Sequence, residues 1–153
     1  MVDIVDSTTR SIMMSKIRSK NTKPELLIRS LLHRRGFRFR VHVKDLPGKP
    51  DIVLAKYKAV IFINGCFWHG HQGCSLFKLP GTRSDFWEQK IARNQINDNK
   101  AIVALLEKNW RIAIIWECSI RGKNRNPEQV ITLIANWLQG SEVFLEVSSK
   151  IYE

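Results

Sequence analysis

Asp51-Ile52-Val53-Leu54-Ala55 and Ala59-Val60-Ile61-Phe62-Ile63 are two apolar runs parted by Lys56-Tyr57-Lys58. Both runs are rich in β-branched residues and the spacer is short and polar, so the stretch predicts a β-hairpin. Before it stands the turn-rich Leu46-Pro47-Gly48-Lys49-Pro50. After it, residues 64–83 show neither periodicity of two nor of 3.6. An irregular segment of that length is uncommon in a small domain unless a metal or a function holds it.

Outward from the hairpin, helices and strands alternate. Residues 7–20 read as a helix with Ser7 or Thr8 as cap and Ile12, Met13 and Ile17 apolar. Thr22-Lys23-Pro24-Glu25 is a capping box opening a second helix, whose stripe is Leu26, Leu27, Leu31 and Leu32 and whose end is Gly36. Phe37 to Val43 alternates apolar and basic residues, as a half-buried strand does. A long helix is expected from about Ser84 to Lys108, a buried strand over Trp110 to Trp116, and a last helix over Pro127 to Leu138 ended by Gly140. The tail 141–153, with Val143-Phe144-Leu145, reads as a strand or a docking segment. The order predicts one domain over 1–153 of mixed α/β layer architecture.

At 153 residues and 44% hydrophobic content the chain can bury a full core. No apolar run approaches bilayer-spanning length, and none at the N-terminus has signal-peptide length. A cytoplasmic protein is expected. The odd number of cysteines, three, suits a metal site in a reducing compartment better than a disulfide framework. Lys and Arg exceed Asp and Glu by 25 to 14, a formal net charge of +11. Such a surplus attracts polyanions at long range. A nucleic acid is the first class of partner to expect. An anionic membrane is weaker, because no basic amphipathic helix with a broad apolar face stands out.

Asn64 to Cys74 holds two cysteines, two histidines and Phe67-Trp68. Cys66, His71 and Cys74, with Cys118 as the one further cysteine, make a Cys3His set of the kind that closes a tetrahedral structural zinc site. Against this, Cys66 and Cys118 can be small core hydrophobes. Of His69 and His71, one is a ligand and the other a free imidazole suited to take a proton from water, or both merely hydrogen-bond; spacing does not separate these. Asp51 is a hard oxygen ligand suited to Mg2+ or, equally, a turn residue bonding its own backbone. Phe67-Trp68 and Phe86-Trp87 can wedge into a base stack or pack in the core.

Taken together, Leu46-Pro47-Gly48-Lys49-Pro50-Asp51, Gly65-Cys66-Phe67-Trp68-His69 with His71 and Cys74, Arg83 with Phe86-Trp87, and Trp116-Glu117-Cys118 resemble the very-short-patch repair (Vsr) mismatch endonucleases. The resemblance runs over roughly residues 7–140. It implies a restriction-endonuclease-like core, a mixed central sheet flanked by helices, and a structural zinc site. It implies a Mg2+-dependent nick in one strand of duplex DNA, 5′ of the thymine in a T:G mismatch. On the same ground Asp51 is a Mg2+ ligand with the backbone carbonyl of Ile63, His69 the general base, and Asp98 and Glu25 supporting acids. Cys66, His71, Cys74 and Cys118 are the zinc ligands. Phe67, Trp68 and Trp87 enter the mismatch from the major-groove side and Met14, in an N-terminal arm over 1–20, from the minor groove.

Two positions depart from the family pattern. Ile63-Asn64 stands where the best-known members carry Thr-His, so the catalytic position 64 holds an amide that hydrogen-bonds but does not titrate. Gly73 reads as a one-residue insertion between His71 and Cys74. A monomer is expected, with mismatch-repair or methylation-system proteins as further partners. Two rival readings are a nuclease of the same fold with a different, restriction-linked target, and a zinc-bearing module that binds DNA without cutting it.

Overall fold

The computed structural model describes residues 21–149. The helix expected over 7–20, with Met14, and the last residues of the tail lie outside them. Helix α1 (Lys23–Arg34) opens at Thr22, whose hydroxyl accepts the Glu25 N–H at 3.4 Å. The reciprocal bond of the box falls one residue earlier than expected, because the Glu25 carboxylate takes the Asn21 N–H. Ile28, Leu31 and Leu32 form the buried stripe.

Strands β1 (Ile52–Leu54) and β2 (Ala59–Asn64) pair antiparallel as the expected hairpin. Helix α2 (Ser84–Glu107) then leads to β3 (Arg111–Trp116), parallel to β2. Helix α3 (Pro127–Gln139) leads to β4 (Phe144–Val147), parallel to β3. The result is a mixed four-stranded sheet in the order β1-β2-β3-β4. The tail thus contributes an edge strand. Arg111 ties that end together: its guanidinium donates to the Trp137 and Leu138 carbonyls at the end of α3 and to the Glu142 carbonyl.

The strand alternation sorts the layers. Ile52, Leu54, Ala59, Ile61, Ala113 and Ile115 face α1 and α3, where Ile28, Leu32, Ile131 and Ile134 complete one core. Val53, Val60, Ile112 and Ile114 face α2 and meet Leu105 and Ile102. β3 is covered on both faces, which is why it reads as a nearly unbroken apolar run.

The strand expected over Phe37 to Val43 does not form. Only Arg40 pairs, with Val53, through bonds of 2.8 and 2.9 Å. Two residues on, His42 takes a left-handed φ of 60°, which turns the chain away from the three-residue β1 before a ladder can extend. No helix among the described residues is long and apolar enough to cross a membrane.

Candidate active site and metal-binding group

The cleft with the chemistry lies between the N-terminus of α1, the ends of β1 and β2, and the inward face of α2. Its volume is about 910 Å3. Glu25, Asp51, Ile63, Asn64, His69 and Asp98 all line it, as do Phe67 and Trp68. The hairpin explains the first part of this gathering. Asp51 precedes β1 and stands opposite the end of β2, so its Oδ2 accepts the Ile63 N–H at 2.6 Å. Asn64 closes β2 on the α2 side of the sheet, in register with Trp116, and is 8% exposed.

Burial pushes the Asp51 carboxyl up to about 7. The Ile63 N–H opposes that shift, the neighbouring Glu25 carboxylate adds to it, and a positive charge on His69 works against it. Asp51, Glu25 and His69 therefore act on one another across the cleft.

His69 is held by α2. Its Nδ1 lies 2.5 Å from Asp98 Oδ2. A carboxylate only accepts, so its contact favours the ring form that carries a proton on Nδ1. Three residues of α2 fix the backbone around it. Asn94 donates to the Trp68 carbonyl at 2.8 Å, and Gln95 to the His69 and Gly70 carbonyls at 3.2 and 3.3 Å. Ile91 packs there as well: a Cβ on Gly70 would come within 2.6 Å of its side chain, and the φ of 62° is left-handed. Only glycine fits between the two histidines.

Cys66, His71, Cys74 and Cys118 bring one ligand atom each to within 4.8 Å of one another. A tetrahedron of thiolates around zinc has edges of about 3.8 Å, so the donor set fits a metal ion with small adjustment. Burial pushes the Cys66 thiol up, a Cys118 backbone N–H works against that, and the neighbouring Cys118 and Cys74 sulfurs add to it. That is the electrostatic condition a bound cation relieves. The geometry separates the two histidines: His71 points to Cys118 Sγ at 3.6 Å and stacks on Trp116 at 4.1 Å, whereas His69 points to Asp98. Gly73 takes a left-handed φ of 70°, which glycine adopts without strain, in the turn between His71 and Cys74.

Phe67, Trp68 and Trp87 pack edge to face, with centroids 5.1 to 5.8 Å apart, and stay half-buried. Trp87 supports the other two from the start of α2 rather than lining the cleft. Phe86 is 45% exposed under the Arg83 guanidinium.

Three groups had no role in the sequence reading. Glu117 accepts the Cys66 N–H at 3.3 Å and pairs with Arg121, joining the metal group to the cleft. Its signal was its place beside Cys118. Lys49 and Lys90 line the cleft, and neither is paired with an acid among the described residues. Arg29, bonded to Glu25, sits one helical turn beyond it.

The family model for DNA mismatch endonuclease Vsr matches residues 2–75. The chain is 48% identical over 120 residues to the type II nicking enzyme V.XorIIP of Xanthomonas oryzae pv. oryzae, covering 78% of this chain and 88% of that one. It is 40% identical over 151 residues to the DNA mismatch endonuclease Vsr of Escherichia coli, covering 98% and 96%. It is 46% identical over 123 residues to the type II nicking enzyme V.NmeAIP of Neisseria meningitidis, covering 80% and 87%.

Proposed function

The chain belongs to the DNA mismatch endonuclease Vsr family, and from that premise we propose that this endodeoxyribonuclease nicks one strand of duplex DNA 5′ of the thymine in a T:G mismatch. The observation that carries the reading is the cleft that brings Asp51, Glu25 and the His69–Asp98 pair to one place in a chain of charge +11. The fold class we infer is restriction-endonuclease-like, and the cell compartment the cytoplasm, where such DNA lies.

His69 takes the proton of the attacking water on Nε2, and Asp98 holds the ring and offsets the charge that the imidazole gains. Asp51 and the Ile63 carbonyl would hold Mg2+, which when bound offsets negative charge developing on the phosphodiester. Asn64 offers the substrate a hydrogen bond without a proton to transfer. Phe67 and Trp68, backed by Trp87, enter the stack at the mismatch. A T:G pair is already weak, so less unstacking energy is needed there than in matched duplex. Cys66, His71, Cys74 and Cys118 would hold zinc, which when bound would tie the loop to the end of β3 in a structural role.

The test is strand-specific nicking of a labelled duplex with one T:G mismatch beside its T:A twin, with Mg2+ and with EDTA. A Mg2+-dependent nick at the mismatched thymine alone is expected. Equal cutting of both duplexes would favour the restriction-linked reading, and binding without cutting the non-cleaving one.

A further inference from the structure

Arg29 does not line the cleft, yet it reaches it through Glu25. Its Nη2 donates to Glu25 Oε2 at 3.1 Å and its Nη1 to Asn21 Oδ1 at 2.6 Å. The Asn21 N–H donates to the same Glu25 oxygen at 2.9 Å. Asn21 takes a left-handed φ of 63°, which asparagine tolerates, and in that conformation its backbone and its side chain both join the clamp.

The arrangement exceeds what a surface ion pair one helical turn apart requires. The Arg29 and Glu25 side chains keep only 14% and 9% of their exposure, and Arg29 Nε is buried without a partner among the described residues. An unsatisfied donor and a shielded charge pair both cost stability. Glu25 and Asp51 line the same cleft, near enough for their charges to repel when both are ionised. A fixed cation on the far side of Glu25 offsets that repulsion. Each acid has one oxygen engaged, Glu25 Oε2 by the clamp and Asp51 Oδ2 by the Ile63 N–H. The Glu25 and Asp51 side chains also hydrogen-bond to each other, which places the two acids in contact.

We propose that Arg29 is a positioning residue which, with Asn21, fixes the Glu25 carboxylate beside Asp51 so that the two acids bind one divalent cation together. The proposal rests on the reading of Asp51 as a Mg2+ ligand and extends the cation site to Glu25 and its clamp.

The test uses the zinc-loaded full chain and Mn2+ as probe, with free Mn2+ read by electron paramagnetic resonance. Arg29→Met, Arg29→Lys and Asp51→Ala are compared with the unaltered protein, and the Mg2+ dependence of nicking and the KM for duplex are measured alongside. Loss of an outer partner of a metal ligand weakens metal affinity by about tenfold or more. Arg29→Met should weaken Mn2+ binding by that factor and raise the Mg2+ needed for half-maximal nicking equally, with the KM for duplex unchanged. Arg29→Lys keeps the charge and loses the fork, so it should fall between the two. Unchanged Mn2+ affinity in both Arg29 variants, with loss in Asp51→Ala, overturns the clamp alone. Unchanged affinity in Asp51→Ala overturns the Mg2+ reading beneath it. If Arg29→Met does not fold, Arg29→Lys decides, and an affinity equal to that of the unaltered protein overturns the proposal.

Discussion

Asp51 shows how one carboxylate can serve a site at a cost to the fold. Folding raises its pKa from 3.8 to about 7. Across that window the native chain keeps the proton that the unfolded chain has lost, so stability falls as the pH rises and the full cost is present above about 7. Asp51→Asn, which is neutral throughout, should raise the melting temperature in magnesium-free buffer more at pH 8 than at pH 5. Calorimetry at the two pH values checks this; an equal shift at both would place Asp51 in an ordinary solvated setting. The same variant should abolish nicking. Trp68 lines the cleft and rests on Phe67 and Trp87. Trp68→Ala should weaken binding of a T:G duplex by roughly 1–3 kcal/mol, the worth of stacking on one base, and weaken matched duplex less. Equal losses in a fluorescence titration would make Trp68 a packing residue only.

At the scale of elements, residues 65–83 are irregular because their stability comes from ligands and neighbours rather than from a ladder. Two anchors hold them: the Cys/His group, and the α2 amides of Asn94 and Gln95. Cys118→Ser removes the one donor of the Cys/His group that lies outside the loop, just past the end of β3. It should release the bound metal, read by elemental analysis, and lower the melting temperature by about 10 °C, the shift that a loss of about 3 kcal/mol gives in a chain of this size. An unaltered melting temperature would exclude Cys118 as a ligand. The failure of the strand at Phe37 to Val43 also belongs here. Alternation describes a residue pattern that suits a strand, but a strand exists only where a partner edge is available, and β1 offers one pairing residue before His42 turns away.

For the whole molecule, the +11 charge sets how the protein meets its substrate. Each phosphate neutralised releases counterion, so affinity for duplex falls steeply with salt, by about a thousandfold between 50 and 200 mM for about six contacts. Lys90 lines the cleft without an acidic partner among the described residues, while Arg121 there is tied to Glu117. Lys90→Ala should lower the salt slope by about one, measured by binding titrations at several salt concentrations, and Arg121→Ala should change it less. Equal changes would show that the pairing of Arg121 is broken when DNA binds.

The hairpin, helices α1 to α3 and β3 were legible along the chain, because each rests on local pattern, and three cysteines among 153 residues drew attention to Cys66, Cys74 and Cys118. Period two, period 3.6 and the cap at Thr22 all act within short range. The sequence left open which histidine belongs to the metal and how the acids meet. It took the folded chain to show that His71 stacks on Trp116 beside Cys118 and that His69 turns to Asp98, 29 residues on. The fold alone showed the Arg29–Glu25 clamp against Asp51 and the use of residues 144–147 as the sheet edge. The physical reason is common to all of these. Burial, charge repulsion and ladder pairing depend on which groups share a space, and that is set by the sheet and its layers rather than by neighbours along the chain.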